Sequence, residues 1–266
     1  DYMIEKMIKE DMLLPLDFSK IANYKNIDPE FIEKTRAFDP ENKYSVPYFW
    51  GTVGIAYNGN TITEEIDSWT VLWDEKYSKR FTMLDSQRDA IMVALKVLGY
   101  SMNTRSEEEL KAAQELLVKQ KPHVLAYAGD NVKDMLISGE TDMAVVWSGE
   151  ASNVIAEYPH IKYALPKEGT NLWFDNIVIP KASKNVEAAH AFIDFLCRGD
   201  IGKRNCDEVG YSTCNMETMK LLDESLMDTT YAYPKKEWYL DKSEVFVDPG
   251  DFIKVYDRIW TEIKAD

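Results

Sequence analysis

Four short segments collect aromatic rings, carboxylates and hydroxyls in a way that could handle a charged organic ligand. They are Trp147-Ser148-Gly149-Glu150, Trp173-Phe174-Asp175, Asp85-Ser86-Gln87-Arg88-Asp89 and Gly210-Tyr211-Ser212-Thr213. An indole face attracts an ammonium group and the methylenes beside it, and a neighbouring carboxylate takes a charge-assisted hydrogen bond from the same group. Each segment also has a plainer reading. A tryptophan at a strand end more often packs in a core or at its rim, and Asp89 or Glu150 in a first helical turn complements the helix dipole. Only the recurrence of such pairs favours binding. Motifs for catalysis are missing: there is no G-x-S-x-G, no P-loop and no G-x-G-x-x-G. His123, His160 and His190 have no metal-ligand spacing, and His190 is expected on the exposed side of an amphipathic helix. Cys197, Cys206 and Cys214 cannot all pair internally, which leaves either a Cys206–Cys214 bridge or free buried thiols. On these residues alone ligand binding and plain packing stand about even, and no catalytic residue, metal or cofactor is assigned.

The elements that must position these groups alternate between helix and strand, an α/β pattern. A helix begins near Ser86, where Ala90, Ile91, Ala94, Leu95 and Leu98 share a face and Gly99 supplies a stop. Ser106 and Glu109 read as a capping box that opens a second. Further helical stripes run through Val186–Leu196 and through Phe252–Ile263. Short apolar runs lie between: Val53–Tyr57, Val124–Ala128, Met143–Trp147 and Asn176–Ile179, each ending at a turn residue. Strands of this kind belong to sheets covered on both faces. In such sheets ligands bind outside the carboxyl ends of strands and at helix N-termini, which is where the aromatic–acid segments fall.

The chain has 266 residues, enough for one large domain or two lobes. There is no internal repeat and no flexible linker, so two lobes would be joined by strands. A net charge of −15, from 46 acidic and 31 basic residues, argues against nucleic acid as a partner and fits a cationic ligand only weakly, since acidity also serves solubility. No apolar run is long enough to span a bilayer. The sequence opens at Asp1-Tyr2-Met3, already inside a helical pattern, so any export signal or membrane anchor is expected outside this sequence.

At the same residues the sequence resembles bacterial spermidine/putrescine-binding proteins. The likeness is carried by Pro47-Tyr48-Phe49-Trp50-Gly51-Thr52, by Trp147-Ser148-Gly149-Glu150, by Asn171-Leu172-Trp173-Phe174-Asp175-Asn176 and by Gly210-Tyr211-Ser212-Thr213, in order from Asp1 to the last helix. The resemblance implies a type II periplasmic-binding-protein fold of two lobes with the ligand in the interlobe cleft. It implies hinge closure, no catalysis, a partner ABC permease with its ATPase, and a place in the periplasm or on the extracellular face of the membrane. Lobe I would take 1–50 and 174–219, and lobe II 51–173 and 220–266. Carried over residue by residue, Tyr2 and Tyr211 match cleft tyrosines, and Trp147 and Trp173 match the rings that sandwich the alkyl chain. Asp175 matches the carboxylate that grips one amine. Asp89 falls where the family has a glutamate for the other end, and Glu150 where putrescine-preferring members have an aspartate.

The sequence also departs from the family. Ser86 stands where a spermidine-preferring member has an aspartate, so putrescine is expected to bind at least as well as spermidine. Phe246 takes the place of a cleft glutamine. The family's first strand–helix–strand has no counterpart before Tyr2, which implies an incomplete lobe I with unpaired strand edges. Other readings stay open on the residues alone: a glycoside hydrolase built on carboxylates flanked by tryptophan, a binding protein for a quaternary amine such as betaine, or a signalling sensor.

Overall fold

The computed structural model describes residues 1–129, 131–238 and 241–265. In chain order the helices are α1 (Tyr2–Lys9), α2 (Pro29–Thr35), α3 (Gln87–Val97), α4 (Glu107–Gln120), α5 (Val132–Ser138), α6 (Ser148–Glu157), α7 (Val186–Leu196), α8 (Gly199–Val209), α9 (Met216–Met219) and α10 (Ile253–Ala265). The strands are β1 (Ser45–Asn58), β2 (Phe81–Leu84), β3 (Ala126–Ala128), β4 (Met143–Trp147), β5 (Ile161–Ala164), β6 (Leu172–Val178) and β7 (Ser212–Thr213). The α/β class is as expected.

The chain divides into two compact units. Unit 1 holds Asp1–Gly51, Trp173–Met227 and Val245–Asp248, and unit 2 holds Thr52–Leu172, Asp228–Glu244 and Pro249–Asp266. Two of the boundaries fall inside β1 and β6, so the chain changes unit along paired strands. Residues 220–227 and 245–248 lie in unit 1 rather than with 220–266 in lobe II. Side-chain contacts explain the second of these segments: Phe246 packs edge-on to Tyr2 at 6.5 Å between ring centroids, and Asp248 accepts from Lys9 Nζ at 3.0 Å.

Unit 2 is organised by a sheet of order β3-β2-β4-β1-β5. β2 is parallel to β3 and to β4, whereas β1 is antiparallel to β4 and β5. Every residue of β2 is buried, as a strand covered on both faces requires. Helix α3 departs from the one-sided stripe read from its sequence, since every residue from Arg88 to Lys96 is buried. It packs against α4 and α10, and a helix apolar or paired on all sides can be enclosed in this way. Its charged members are compensated: the Arg88 guanidinium lies 4.8 Å from the Tyr256 ring centre, and Lys96 pairs with Glu244. Gly99 ends the segment with φ +77°, a conformation open to glycine without a side-chain clash.

In unit 1, β6 and β7 each pair with β1 alone among the described strands. Loop residues extend the ladders at Leu13–Pro180 and Ile27–Asn215. Helix α7 matches the expected span, but His190 is buried at 2% exposure rather than on the surface. Its Nε2 accepts the Asp17 amide at 2.9 Å and its Nδ1–H reaches the Val186 carbonyl at 2.8 Å, so both ring nitrogens are satisfied inside. The capping box of α4 is half formed. Ser106 accepts from the Glu109 amide, whereas the Glu109 carboxylate takes the Thr104 hydroxyl instead of reaching back to Ser106. Cys197, Cys206 and Cys214 are free and buried, which leaves no Cys206–Cys214 bridge.

Candidate functional site

Because β2, β3 and β4 run parallel, their carboxyl ends share one edge of the unit 2 sheet, and α3, α5 and α6 start beyond that edge. This places Ser86, Asp89, Trp147 and Glu150 along a common border, the place where open α/β sheets take ligands. Ser86 stands at the N-cap position of α3 but makes no cap bond. Its hydroxyl donates to Asp89 Oδ2 at 2.8 Å instead. Asn171 Nδ2 donates to Asp89 Oδ1 at 3.2 Å, and the Trp147 indole donates to the same carboxylate. Burial of Asp89 pushes its carboxyl above the usual range, opposed by these hydrogen bonds and by the Arg88 charge. Ser86 therefore holds Asp89 in place. The Oδ1 of Asn171 is itself buried and accepts no hydrogen bond among the described residues, which leaves an acceptor beside the carboxylate. Asn171 was legible only as part of the motif before Trp173, and nothing local marked it as a contributor.

Glu150, in the first turn of α6, forms an ion pair with Lys133 Nζ at 2.6 Å. Two concavities of unit 2, of about 630 and 610 Å³, contain none of these residues. Lysines line both, Lys96 and Lys242 the first and Lys167 and Lys242 the second, together with more carboxylates: Glu168, Asp241 and Glu244 in the first and Glu65, Asp67, Glu237 and Asp241 in the second.

Unit 1 supplies the second group. The sequence places Trp173-Phe174-Asp175 just ahead of a strand, but all three lie inside β6, which starts at Leu172. Its extent is set by pairing with β1, seen in the Val53 amide bonded to the Asn171 carbonyl at 3.3 Å, and not by the apolar run from Asn176. The difference has a chemical consequence. Side chains alternate along a strand, so Trp173 and Asp175 share one face while Phe174 turns to the other and meets Phe31 at 5.9 Å. Trp173 packs against Tyr211 at 5.4 Å with a 60° tilt, and Tyr211 meets the edge of Phe49 at 5.8 Å. Asp175 is exposed, yet the protein crowding it raises its carboxyl above the usual range through desolvation. Tyr2 is exposed and keeps its own contact with Phe246, which is buried.

The eight residues read from sequence thus divide four to a unit: Tyr2, Trp173, Asp175 and Tyr211 in unit 1, and Ser86, Asp89, Trp147 and Glu150 in unit 2. Ser86, Asp89 and Trp147 are joined directly, as are Trp173 and Tyr211. Glu150 is tied to a lysine that sequence reasoning did not single out. Trp173 is 9% exposed, so alanine there would truncate packing as well as any ligand surface. Trp173→Leu is the more informative change. We expect it to cost about 1–2 kcal/mol of affinity for an organic cation while the fold is retained, read by calorimetry and thermal melting together. Among the described residues no group of three or more His, Cys, Asp and Glu side chains could hold a metal ion.

Comparison with known proteins bears on the family and the fold. The family described as bacterial extracellular solute-binding protein matches residues 1–224. The spermidine/putrescine-binding periplasmic protein of Salmonella typhimurium is 37% identical over 265 residues, covering 99% of this chain and 75% of that protein. A solved structure described as a spermidine/putrescine ABC transporter from Listeria monocytogenes superimposes with a TM-score of 0.92 at 38% identity, over 99% of this chain and 81% of the other. The spermidine/putrescine ABC transporter substrate-binding protein of Streptococcus pneumoniae gives 0.89 at 37% identity, over the same shares. A family match over residues 1–224 and a relative 37% identical over nearly the whole chain lead to one conclusion: this chain belongs to the bacterial extracellular solute-binding proteins.

Proposed function

We propose that this chain is the ligand-binding component of a polyamine importer. It captures putrescine or spermidine outside the cytoplasmic membrane, performs no chemistry on the ligand, and delivers it to an ABC permease driven by its ATPase. The observation that carries the reading is the face of β6 on which Trp173 and Asp175 stand side by side, with Tyr211 against the indole. A ring beside a carboxylate matches a protonated amine attached to a methylene chain. Asp89, framed by Trp147, Ser86 and Asn171, offers the same chemistry in unit 2. The names of the relatives point to the same ligands, and the net charge of −15 favours the approach of a cation. No helix among the described residues is long and apolar enough to cross a membrane.

Calorimetry with putrescine, spermidine and spermine, and with betaine as the control, tests the proposal. Saturable binding of the polyamines with little response to betaine is expected, because betaine has no N–H to give a carboxylate. Binding of betaine alone, or of no amine at all, would overturn it.

A pH dependence follows. Burial raises both Asp89 and Asp175 above their ordinary range. The ligand ammonium groups stay charged throughout the acid range, as amines titrating near 10 do. Affinity is therefore expected to be level near neutrality and to fall on acidification as the two carboxyls take up protons. The fall should begin above the value of about 3.9 typical of an exposed aspartate. Titrations between neutral and acid pH check this, and affinity that rises on acidification would contradict it.

A further inference from the structure

Helix α7 is apolar on every side: of its 11 residues only Glu187, His190 and Asp194 are polar. A helix of that composition belongs in an interior, because a surface helix carries one polar face. One side of α7 is covered. His190 and Ile193 are buried there, and the helix rests on the Phe18–Lys20 and Ala22–Asn26 turns and on α8. The other side is not. Ala188, Ala191, Phe192 and Phe195 are exposed at the i, i+3, i+4, i+7 spacing of a single helical stripe. Phe192 is 58% and Phe195 41% exposed, and their rings stack on each other with centroids 6.3 Å apart. The stripe is graded in size, with alanines toward the helix N-terminus and phenylalanines toward its C-terminus. Its two ends are mixed in charge, Lys184 and Glu187 at one and Arg198 and Asp200 at the other, all exposed. Each end is therefore close to neutral in a chain whose net charge is −15.

From this pattern we infer that the α7 stripe is a self-docking surface, on which two copies of the chain pair with their α7 helices antiparallel about a two-fold axis near Phe192. The arrangement answers both gradients at once. It sets Phe195 on Ala188 of the partner subunit and Phe192 on Ala191 of the partner subunit, bulk into space. Parallel pairing would instead set phenylalanine on phenylalanine at one end and alanine on alanine at the other, which close packing disfavours. In the same register Glu187 comes opposite Arg198 of the partner subunit, and Lys184 opposite Asp200 of the partner subunit. Such reciprocal contacts are what a two-fold interface requires. A partner of strong single charge would leave half of this rim facing its own sign, so a second copy fits it better. An 11-residue helix is about 16 Å long. The helix pair alone buries less than the roughly 1,200 Å² of a stable interface, so the dimer is weak and forms at about micromolar concentrations and above.

Sedimentation equilibrium of the whole chain between about 1 μM and about 1 mM tests this. The wild type is expected to pass from monomer to dimer within that range. Phe192→Glu changes an exposed side chain, so the fold should survive; a thermal melt verifies this. It is expected to weaken self-association by about tenfold or more, because it puts two carboxylates at the axis. Glu187→Arg is expected to weaken it by about threefold or more by facing like charges across the interface, and Glu187→Arg with Arg198→Glu to restore it. The pairs these changes disturb within one chain, Glu187 with Lys20 and Arg198 with Asp200, are surface pairs worth little to the fold. A wild type that stays monomeric at the highest concentration would overturn the inference and leave the stripe to a different occupant. So would a dimer untouched by Phe192→Glu. A charge exchange that fails to restore association would overturn the antiparallel arrangement.

Discussion

Asp175→Ala is expected to lower polyamine affinity by about 2–5 kcal/mol, a factor of about thirty or more in Kd, with little change in the melting temperature of the ligand-free protein. Asp175 is exposed, on the same face of β6 as the buried Trp173, and the free protein relies on it for no described side-chain hydrogen bond or ion pair. Its removal therefore leaves the fold intact. A bound ammonium against Trp173 would lose the group that takes its charge, while the ring face alone supplies only about 1–2 kcal/mol. The size of the loss comes from the uncompensated charge more than from one missing hydrogen bond. Calorimetry of Asp175→Ala and Asp175→Asn beside the wild type provides the measurement. Near-native affinity in the alanine variant would show that the amine is held elsewhere.

The second large effect should combine loss of binding with gain of stability. Asp89 is buried on α3, and burial raises its carboxyl in the folded protein against the opposing pull of Ser86, Asn171, Arg88 and Trp147. A carboxyl raised above its unfolded value of about 3.9 leaves stability whole below that value and erodes it as pH rises through the folded-state pKa. At neutral pH the ionised Asp89 thus costs the empty protein stability that a bound ammonium would return. Asp89→Asn is nearly isosteric and can still accept from Asn171 and reorient toward Ser86. It should raise the melting temperature of the ligand-free protein at neutral pH, by about 2–4 °C for each kcal/mol recovered, and flatten the decline above pH 4. Affinity should fall by about 1.5–3 kcal/mol with the loss of a charge-assisted bond. A variant that binds normally, or that melts well below the wild type, would contradict this account.

Much of the architecture is legible in local pattern, because helix and strand periodicity is decided by neighbours a few residues apart. Met143–Trp147 is β4 to the residue, and Val186–Leu196 is α7. Longer strands are less so. β1 runs from Ser45 although the expected strand was Val53–Tyr57 alone, and β6 reaches back to Leu172, where it pairs with β1. The residue types able to bind an amine, and the motifs around Trp147, Trp173 and Tyr211, were open to inspection in the sequence. Their working relations were not. Asp89 is held by Asn171, 82 positions away, Phe246 closes on Tyr2 from the far end of the chain, and His190 is drawn inward by the amide of Asp17. Lys133 looked like any surface lysine until α5 and α6 were set side by side. By itself the sequence determined the chemistry on offer and the elements that carry it, since composition and short-range spacing specify both. Which acids stay available to a ligand and which are already engaged was decided only by the tertiary structure, because partners distant along the chain meet only when the sheet edges and helix ends are brought together.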